Sequence, residues 1–434
     1  MTMLRTDDIT LPRMYRVRQR LEQTQLTDIP GAVSAALEQA GVLAAIEPGM
    51  KIVITAGSRG IANIPVILRA AVDAVRARGG APTVLPTMGS HGGATPEGQI
   101  EVLRSLGVTE QSVGAPIVSS LETIQLGQTP QGIPVYGSTD AAAADGIVVI
   151  GRVKPHTDFR GPLESGLAKM MVIGLGKHRG ALTAHSQGRV YGLAEVIPAM
   201  ARVVLAQSRI LGAVAILENG RDETARVVGL QREGLLEAEE GLQREAKVML
   251  GRIPYSPVDL LIVDEIGKNI SGAGMDTNVV GRVPSGPHGT VQQLSEVRRI
   301  YARRLTEATH GNAVGVGLAD VVHQRLETEM DRRLTYVNAL TSGWLECAKV
   351  PLVASSDREG IAWCLITGAP SAGGGPGGDT RNARIVRIKN TLELERLWIS
   401  EPLLAETRSE GTLEVEQGPL DLRFDASGEL GDDE

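Results

Sequence analysis

Short apolar runs alternate along this chain with stretches whose apolar residues return every three or four positions. KIVITA (51–56) reads as a buried strand ending at the turn Gly57-Ser58-Arg59-Gly60. The spacing then predicts a helix opening near Asn63 and Pro65, carrying Val66, Ile67, Ala70, Ala71 and Ala74, and stopping at Gly79-Gly80. PTVLPT (82–87) is the next strand and MGSHGGA the loop after it. Thr95-Pro96 is a cap followed by a first-turn proline, and opens a helix that runs to Gly107. GIVVIG (146–151) leads into the long loop RVKPHTDFRGPLESG. A helix around 191–206, the strand LGAVAILE (211–218) and an amphipathic helix at 233–250 follow. Pro254 and Pro257 mark a domain junction, beyond which DLLIVDEIG (259–267) begins a second set of strands and helices.

Repeated strand–helix units of this kind predict an α/β protein with mainly parallel sheets flanked by helices. A length of 434 residues exceeds one ordinary core, so two domains are expected, at 1–255 and 256–434. SAGGGPGGD (371–379) reads as a flexible loop and the tail ELGDDE as frayed. Aromatics make up only 3%, so the cores must be built from aliphatic side chains and Met.

The formal charge of −7 and the lack of a basic run argue against nucleic-acid binding. The opening MTMLRTDDIT has no apolar signal-peptide core, and no run approaches the ~18 apolar residues of a membrane span. A cytoplasmic protein is expected. Cys347 and Cys364, in apolar surroundings, read as two buried free thiols.

In open α/β sheets, ligands bind at the carboxyl ends of strands. Arg59, His91, His156 and Lys268 each follow a different predicted strand. Taken singly, each reads first as a surface-loop residue; their recurrence after four strands points to a site. The glycines of GSHGGAT would leave the His91 imidazole uncrowded, and Pro155 would present His156. His288, His310 and His323 have no special context. There is no HExxH, CxxC or GxSxG, and the turn GSRGIANI lacks the dinucleotide frame. GLGKHRG (174–180) lacks the spacing and hydroxyl of a phosphate loop.

Four segments, TAGSRGIANIP, PTMGSHGGAT, VKPHTDF through ESGLAKMMVIGLGKHRGALTAH, and DEIGKNISGAGMD, together resemble the nickel-pincer lactate racemase family. The likeness covers most of residues 50–285. It implies two α/β domains with the active site in the cleft between them. It also implies a nickel-pincer nucleotide, a nicotinate-derived mononucleotide whose nickel sits in a sulfur–carbon–sulfur pincer. The implied reaction is racemisation or epimerisation of a small, lactate-like 2-hydroxy acid by transient hydride transfer. Cofactor-synthesis enzymes would be partners.

Carried over by position, the resemblance makes Arg59 the carboxylate-binding arginine and His91 and His156 the acid/base pair. Lys169 becomes the cofactor tether, with Ser58 beside the cofactor. His185, sixteen positions after Lys169, becomes the nickel ligand, and Glu265 and Lys268 help bind substrate. Three departures stand out. Ala56 occupies the place of an acidic residue. The loop between His156 and Lys169 is longer, so Lys177 is an alternative tether. Glu265 replaces a glutamine, and its charge would repel a carboxylate unless protonated or turned away.

The residue types suit those jobs. Imidazoles near neutrality take and return protons, an arginine fork grips a carboxylate, and imidazole ligates nickel. The rival readings are a hydroxy-acid dehydrogenase or dehydratase using another cofactor, and a non-catalytic nucleotide- or metal-binding protein.

Overall fold

The first strand, β1 (Met14–Gln19), pairs antiparallel on both sides with strands from the far end of the chain. In this computed structural model, which describes residues 9–58, 60–286, 290–293, 295–369, 380–409 and 411–431, two units separate. One is Glu22–Leu250; the other joins the residues up to Leu21 with those from Gly251 onward. The expected division at 255/256 counted β1 with the first unit. Met14 and Val17 are buried against the second, and a lone six-residue strand carries no sign of which sheet will receive it.

In the unit 22–250, β2 (Lys51–Ala56), β3 (Ala81–Pro86), β4 (Gly146–Arg152), β5 (Ile210–Glu218) and β6 (Thr224–Gln231) form one sheet. Its order is β3-β2-β4-β5-β6, parallel throughout except for β6. The strands read as continuous apolar runs because both faces are covered. Ile52 and Ile54 join one core with Leu37, Leu68 and Val72, while Val53 and Val149 join another with Met171, Ile197 and Met200. The first core is capped by α1 (Ile29–Gln39) and α2 (Ile64–Ala77).

Helix α2 starts where Asn63 and Pro65 predict, but its buried stripe is Ile64, Ile67, Leu68, Ala71, Val72 and Val75. Val66, expected inside, is 43% exposed. Helix α3 (Pro96–Ser105) is capped by Thr95, whose hydroxyl accepts the Gly98 N–H at 3.1 Å.

The sequence reading gave no element to residues 167–190, where the chain is helical. A single α-turn, Leu167–Lys169, passes through a π-turn, Met170–Gly174, into α4 (Lys177–Tyr191) and then α5 (Leu193–Gln207). GLGKHRG is therefore a helical junction. Its glycines allow close packing: a Cβ on Gly176 would stand 2.2 Å from the Val172 carbonyl oxygen. The amphipathic helix expected at 233–250 is α6 (Leu235–Met249).

The other unit is built on an eight-stranded sheet. Its strands after β1 are β7 (Val258–Ile266), β8 (Val297–Leu305), β9 (Val321–His323), β10 (Leu352–Ala354), β11 (Ile385–Ile388), β12 (Arg396–Ser400) and β13 (Leu413–Leu420). The order is β10-β9-β8-β7-β11-β12-β1-β13, with the first five parallel and the rest antiparallel. Two of its helices matter below, α7 (Arg332–Ser342) and α8 (Asp357–Gly368).

The tail departs from expectation. Leu430 is buried, its N–H donates to Asp357 Oδ2 at 2.8 Å, and its carbonyl accepts from Arg303 Nη2 at 2.5 Å. Arg387 Nη2 reaches the Gly431 carbonyl at 3.1 Å. Buried arginines need acceptors, and this segment supplies backbone carbonyls, so residues 430–431 are anchored. The loop 371–379 lies outside the described residues. Both cysteines are buried and neither is in a disulfide, and burial pushes the Cys364 thiol far above its ordinary range. Among the described residues, no helix is long and apolar enough to cross a membrane.

Candidate active site

Three neighbouring parallel strands deliver the first polar groups. Ser58 follows β2, His91 follows β3 and His156 follows β4, all at the carboxyl ends. Ser58 Oγ lies 2.5 Å from His91 Nδ1. Arg59 lies outside the described residues. The loop carrying His91 is held from behind by α3, where Gln99 Nε2 donates to the Gly89 carbonyl at 3.0 Å. A Cβ on Gly98 would stand 1.9 Å from the Gly92 carbonyl oxygen, so the loop rests directly on the first turn of α3. The glycines near His91 thus serve loop-on-helix packing, while the imidazole itself is exposed.

His156 is fixed by its own loop. The Asp158 N–H donates to His156 Nδ1 at 2.9 Å, and Arg160 Nη1 donates to the His156 carbonyl at 2.5 Å. The Phe159 ring lies 4.6 Å away, centroid to centroid. Glu164, whose side chain is fully buried, accepts the N–H groups of His156 at 2.7 Å and Gly161 at 3.1 Å, and pairs with Lys247 Nζ at 2.6 Å. A buried carboxylate needs such compensation, and in return it fixes the loop's shape.

Thirteen residues on, Lys169 Nζ meets His156 Nε2 at 2.6 Å. The π-turn after Lys169 seats on the strand ends. Thr87 Oγ1 contacts Met170 Sδ at 2.9 Å and the Ala56 carbonyl at 3.1 Å, and a Cβ on Gly57 would stand 3.0 Å from Met170 Cε. His185 lies one helix further. Desolvation, then the charges of Lys169 and Arg189, hold its imidazole below the ordinary range, although the side chain keeps an exposed face. Lys177, the alternative tether, is wholly buried, with Nζ spent on the Pro86 carbonyl at 2.6 Å and burial lowering its pKa to about 8. The structure brings Lys169, not Lys177, to His156.

The α-turn that carries Lys169 rests on Glu239 of α6. This carboxylate is 1% exposed, accepts the Ala168 N–H at 2.9 Å and the Leu167 N–H, and is pushed up to about 7 by burial. The folded protein therefore binds a proton that the unfolded chain has released between about pH 4.5 and 7. Stability falls as pH rises through that window, by about 3 kcal/mol at 1.4 per unit. Glu239→Gln is expected to flatten this slope in urea unfolding measured at pH 4.5 and 7; parallel pH dependences in the two proteins would refute it.

Sequence reading missed Glu164 and Glu239. Glu239 had a visible signal: with Gln243 it interrupts the apolar stripe Leu235, Leu236, Leu242, Ala246 on α6. Glu164 had none, because an acidic residue in a polar loop looks ordinary.

Glu265 and Lys268 belong to the other unit, at the carboxyl end of β7. Lys268 Nζ donates to Asn338 Oδ1 of α7 at 2.8 Å. The Glu265 N–H donates to the Lys389 carbonyl at 2.8 Å. The Lys389 ammonium is raised chiefly by Glu393 and in part by the Glu265 charge, so Glu265 is partly offset by a neighbouring cation. In the same unit His323, Asp357 and Glu429 lie close enough to hold a metal ion. Their atoms are already committed: His323 to Glu429 and the Arg325 N–H, Asp357 to Arg303 and Tyr301, and Glu429 also to Arg325. This is a structural clasp.

The α/β unit 22–250 thus has Ser58, His91 and His156 after the carboxyl ends of adjacent parallel strands, where open sheets of this kind take ligands, and Lys169 against His156. Residues 8–192 match the family model described as the lactate racemase N-terminal domain. The matched span holds Ser58, His91, His156, Lys169 and His185. Among solved structures, the chain is similar to the lactate racemase apoprotein from Thermoanaerobacterium thermosaccharolyticum. The TM-score is 0.52 at 13% identity, covering 86% of this chain and 94% of that one, a likeness of fold. No curated protein matches the sequence.

Proposed function

We propose that this chain is an isomerase that racemises or epimerises a small 2-hydroxy acid. The observation that carries the reading is the meeting of His156 with Lys169, beside Ser58 and His91, at the ends of three adjacent strands within the racemase-family span. His91 and His156 take the hydroxyl proton and return one on the opposite face, since imidazoles near neutrality do both. In this reading Arg59 is the residue type to grip the substrate carboxylate, and Lys268 and Glu265 keep the substrate-binding roles that the resemblance implies.

The donor set fits a nickel-pincer nucleotide. His185 offers a neutral imidazole with an accessible face, which is what a metal ligand requires, and Lys169 offers an amine for a tether. When bound, that cofactor supplies a ring able to accept a hydride from the carbinol carbon and give it back. The residues here would hold it through Lys169, Ser58 and His185.

The test is nickel per chain on protein produced together with the cofactor-synthesis enzymes, comparing wild type with His185→Ala. Near-stoichiometric nickel in the wild type, falling at least tenfold in the variant, supports the assignment. A well-folded wild type without nickel, beside a control racemase loaded in the same host, removes it.

A further inference from the structure

The loop that carries His156 is closed at its base and held from outside by one helix. Lys154 and Ser165 exchange backbone hydrogen bonds at 2.9 and 3.2 Å, which closes it. Beside that closure Glu164 spans the loop, one carboxylate oxygen accepting the His156 N–H and the other the Gly161 N–H. Both oxygens act as acceptors, which a carboxylate allows and an amide does not. Lys247 of α6 brings the opposite charge, its Nζ 2.6 Å from Glu164 Oε1 and 3.4 Å from the Gly161 carbonyl.

Glu239, Gln243 and Lys247 follow one another at four-residue spacing, so they share a stripe of α6. Glu239 accepts the N–H groups of Leu167 and Ala168, directly before Lys169. One stripe of α6 therefore holds the backbone on both sides of the contact between His156 and Lys169. The helix lies beyond the matched residues 8–192, so the comparison gives these positions no role. We infer that Lys247 is a positioning residue, acting through Glu164 to hold His156 where it handles the substrate proton. A buried carboxylate deprived of its cation gains by opening to water, and here the first bond to give way is the His156 N–H. The Glu164 side chain is 0% exposed and that of Lys247 39%, so Lys247 can be changed without opening the core.

The kinetic half of the test rests on the racemase reading. On nickel-loaded protein, Lys247→Met is expected to lower kcat for lactate racemisation, per bound nickel, at least about tenfold, the scale of a misplaced reacting group. KM is expected to stay within about twofold, since the residues given to the substrate carboxylate belong to other loops. Lys247→Arg keeps the cation and should recover most of the rate. Glu164→Gln should lower kcat by a similar factor, and adding Lys247→Met to it should cost less than about twofold more, because nothing remains to act through. A Lys247→Met enzyme within about twofold of wild type overturns the inference, as do a failed recovery by arginine and two losses that multiply.

The second half needs no turnover. In full-length, cofactor-free protein, backbone amide exchange in peptides covering 156–161 is expected to quicken at least about tenfold in Lys247→Met, with peptides of α2 unchanged. Unchanged exchange at 156–161, or a quickening shared by α2, overturns the inference. A wild type that racemises nothing removes the proposed function, while exchange still decides whether Lys247 holds the loop.

Discussion

His91→Ala is expected to lower the rate of 2-hydroxy-acid racemisation by about 10²–10⁴-fold, the usual worth of a positioned acid/base group, with nickel content at the wild-type level. His91 is the cleaner of the two histidines to remove. It is exposed, its Nδ1 faces Ser58 Oγ at 2.5 Å, and its loop is held by Gln99 and by packing on α3. The backbone should therefore survive loss of the ring. His156→Ala should cost a similar factor, but its rate must be expressed per bound nickel, since Lys169 leans on the same imidazole. The measurement is conversion of each enantiomer of lactate followed by chiral chromatography. Wild-type rates per nickel in either variant would remove that histidine from proton handling.

How much of this was legible in the sequence depends on the range of the interaction. The strands β2, β3, β4, β5 and β7 were readable because parallel strands covered on both faces leave unbroken apolar runs. Residues placed straight after those strands, His91, His156 and Lys268, were readable for the same reason. The helical stretch from Leu167 to Tyr191 was not. Its glycines look like loop residues until Val172, Thr87 and Tyr136 are seen pressed against them. The phase of α2 was misjudged by about one position, although exposed Arg69, Asp73 and Arg76 mark the polar face opposite Leu68, Val72 and Val75. The assignment of β1 to the second unit and the anchoring of Leu430 both depend on partners far along the chain, 127 residues away for Leu430 and Arg303, which no local pattern encodes. Glu164 left no signal for another reason: it accepts backbone N–H groups of its own loop whose need for an acceptor arises only once the chain has folded, whereas Glu239 was marked as a break in the apolar stripe of α6.

The largest stability effect is expected in the second unit, at Asp357. Its carboxylate, 0% exposed, takes Arg303 Nε at 3.0 Å and Nη2 at 2.8 Å, the Tyr301 hydroxyl at 2.9 Å and the Leu430 N–H at 2.8 Å. Arg303 in turn reaches Asp264 at 2.9 Å, which also takes Arg387 Nε at 3.0 Å. Asp357→Ala would leave a buried guanidinium half-paired and a backbone N–H without its acceptor, which costs roughly 3–5 kcal/mol. Arg325→Ala, which touches only the outer, partly exposed end of the clasp at Glu429, should cost no more than about 1 kcal/mol. Burial alone would raise the Asp357 carboxyl, but hydrogen bonds from Arg303 outweigh it and hold it below 3.8. The stabilisation is therefore full above the unfolded value and drains away as pH falls through the folded one, so acid should weaken wild type more than the alanine variant. Urea unfolding of this unit, followed at pH 7 and again below pH 4, reads both effects, and limited proteolysis of the tail reports release of Leu430. An Asp357→Ala transition within 1 kcal/mol of wild type at pH 7 would mean that Asp264 alone suffices for Arg303, and that the tail is held by Arg303 and Arg387 without help from the helix α8.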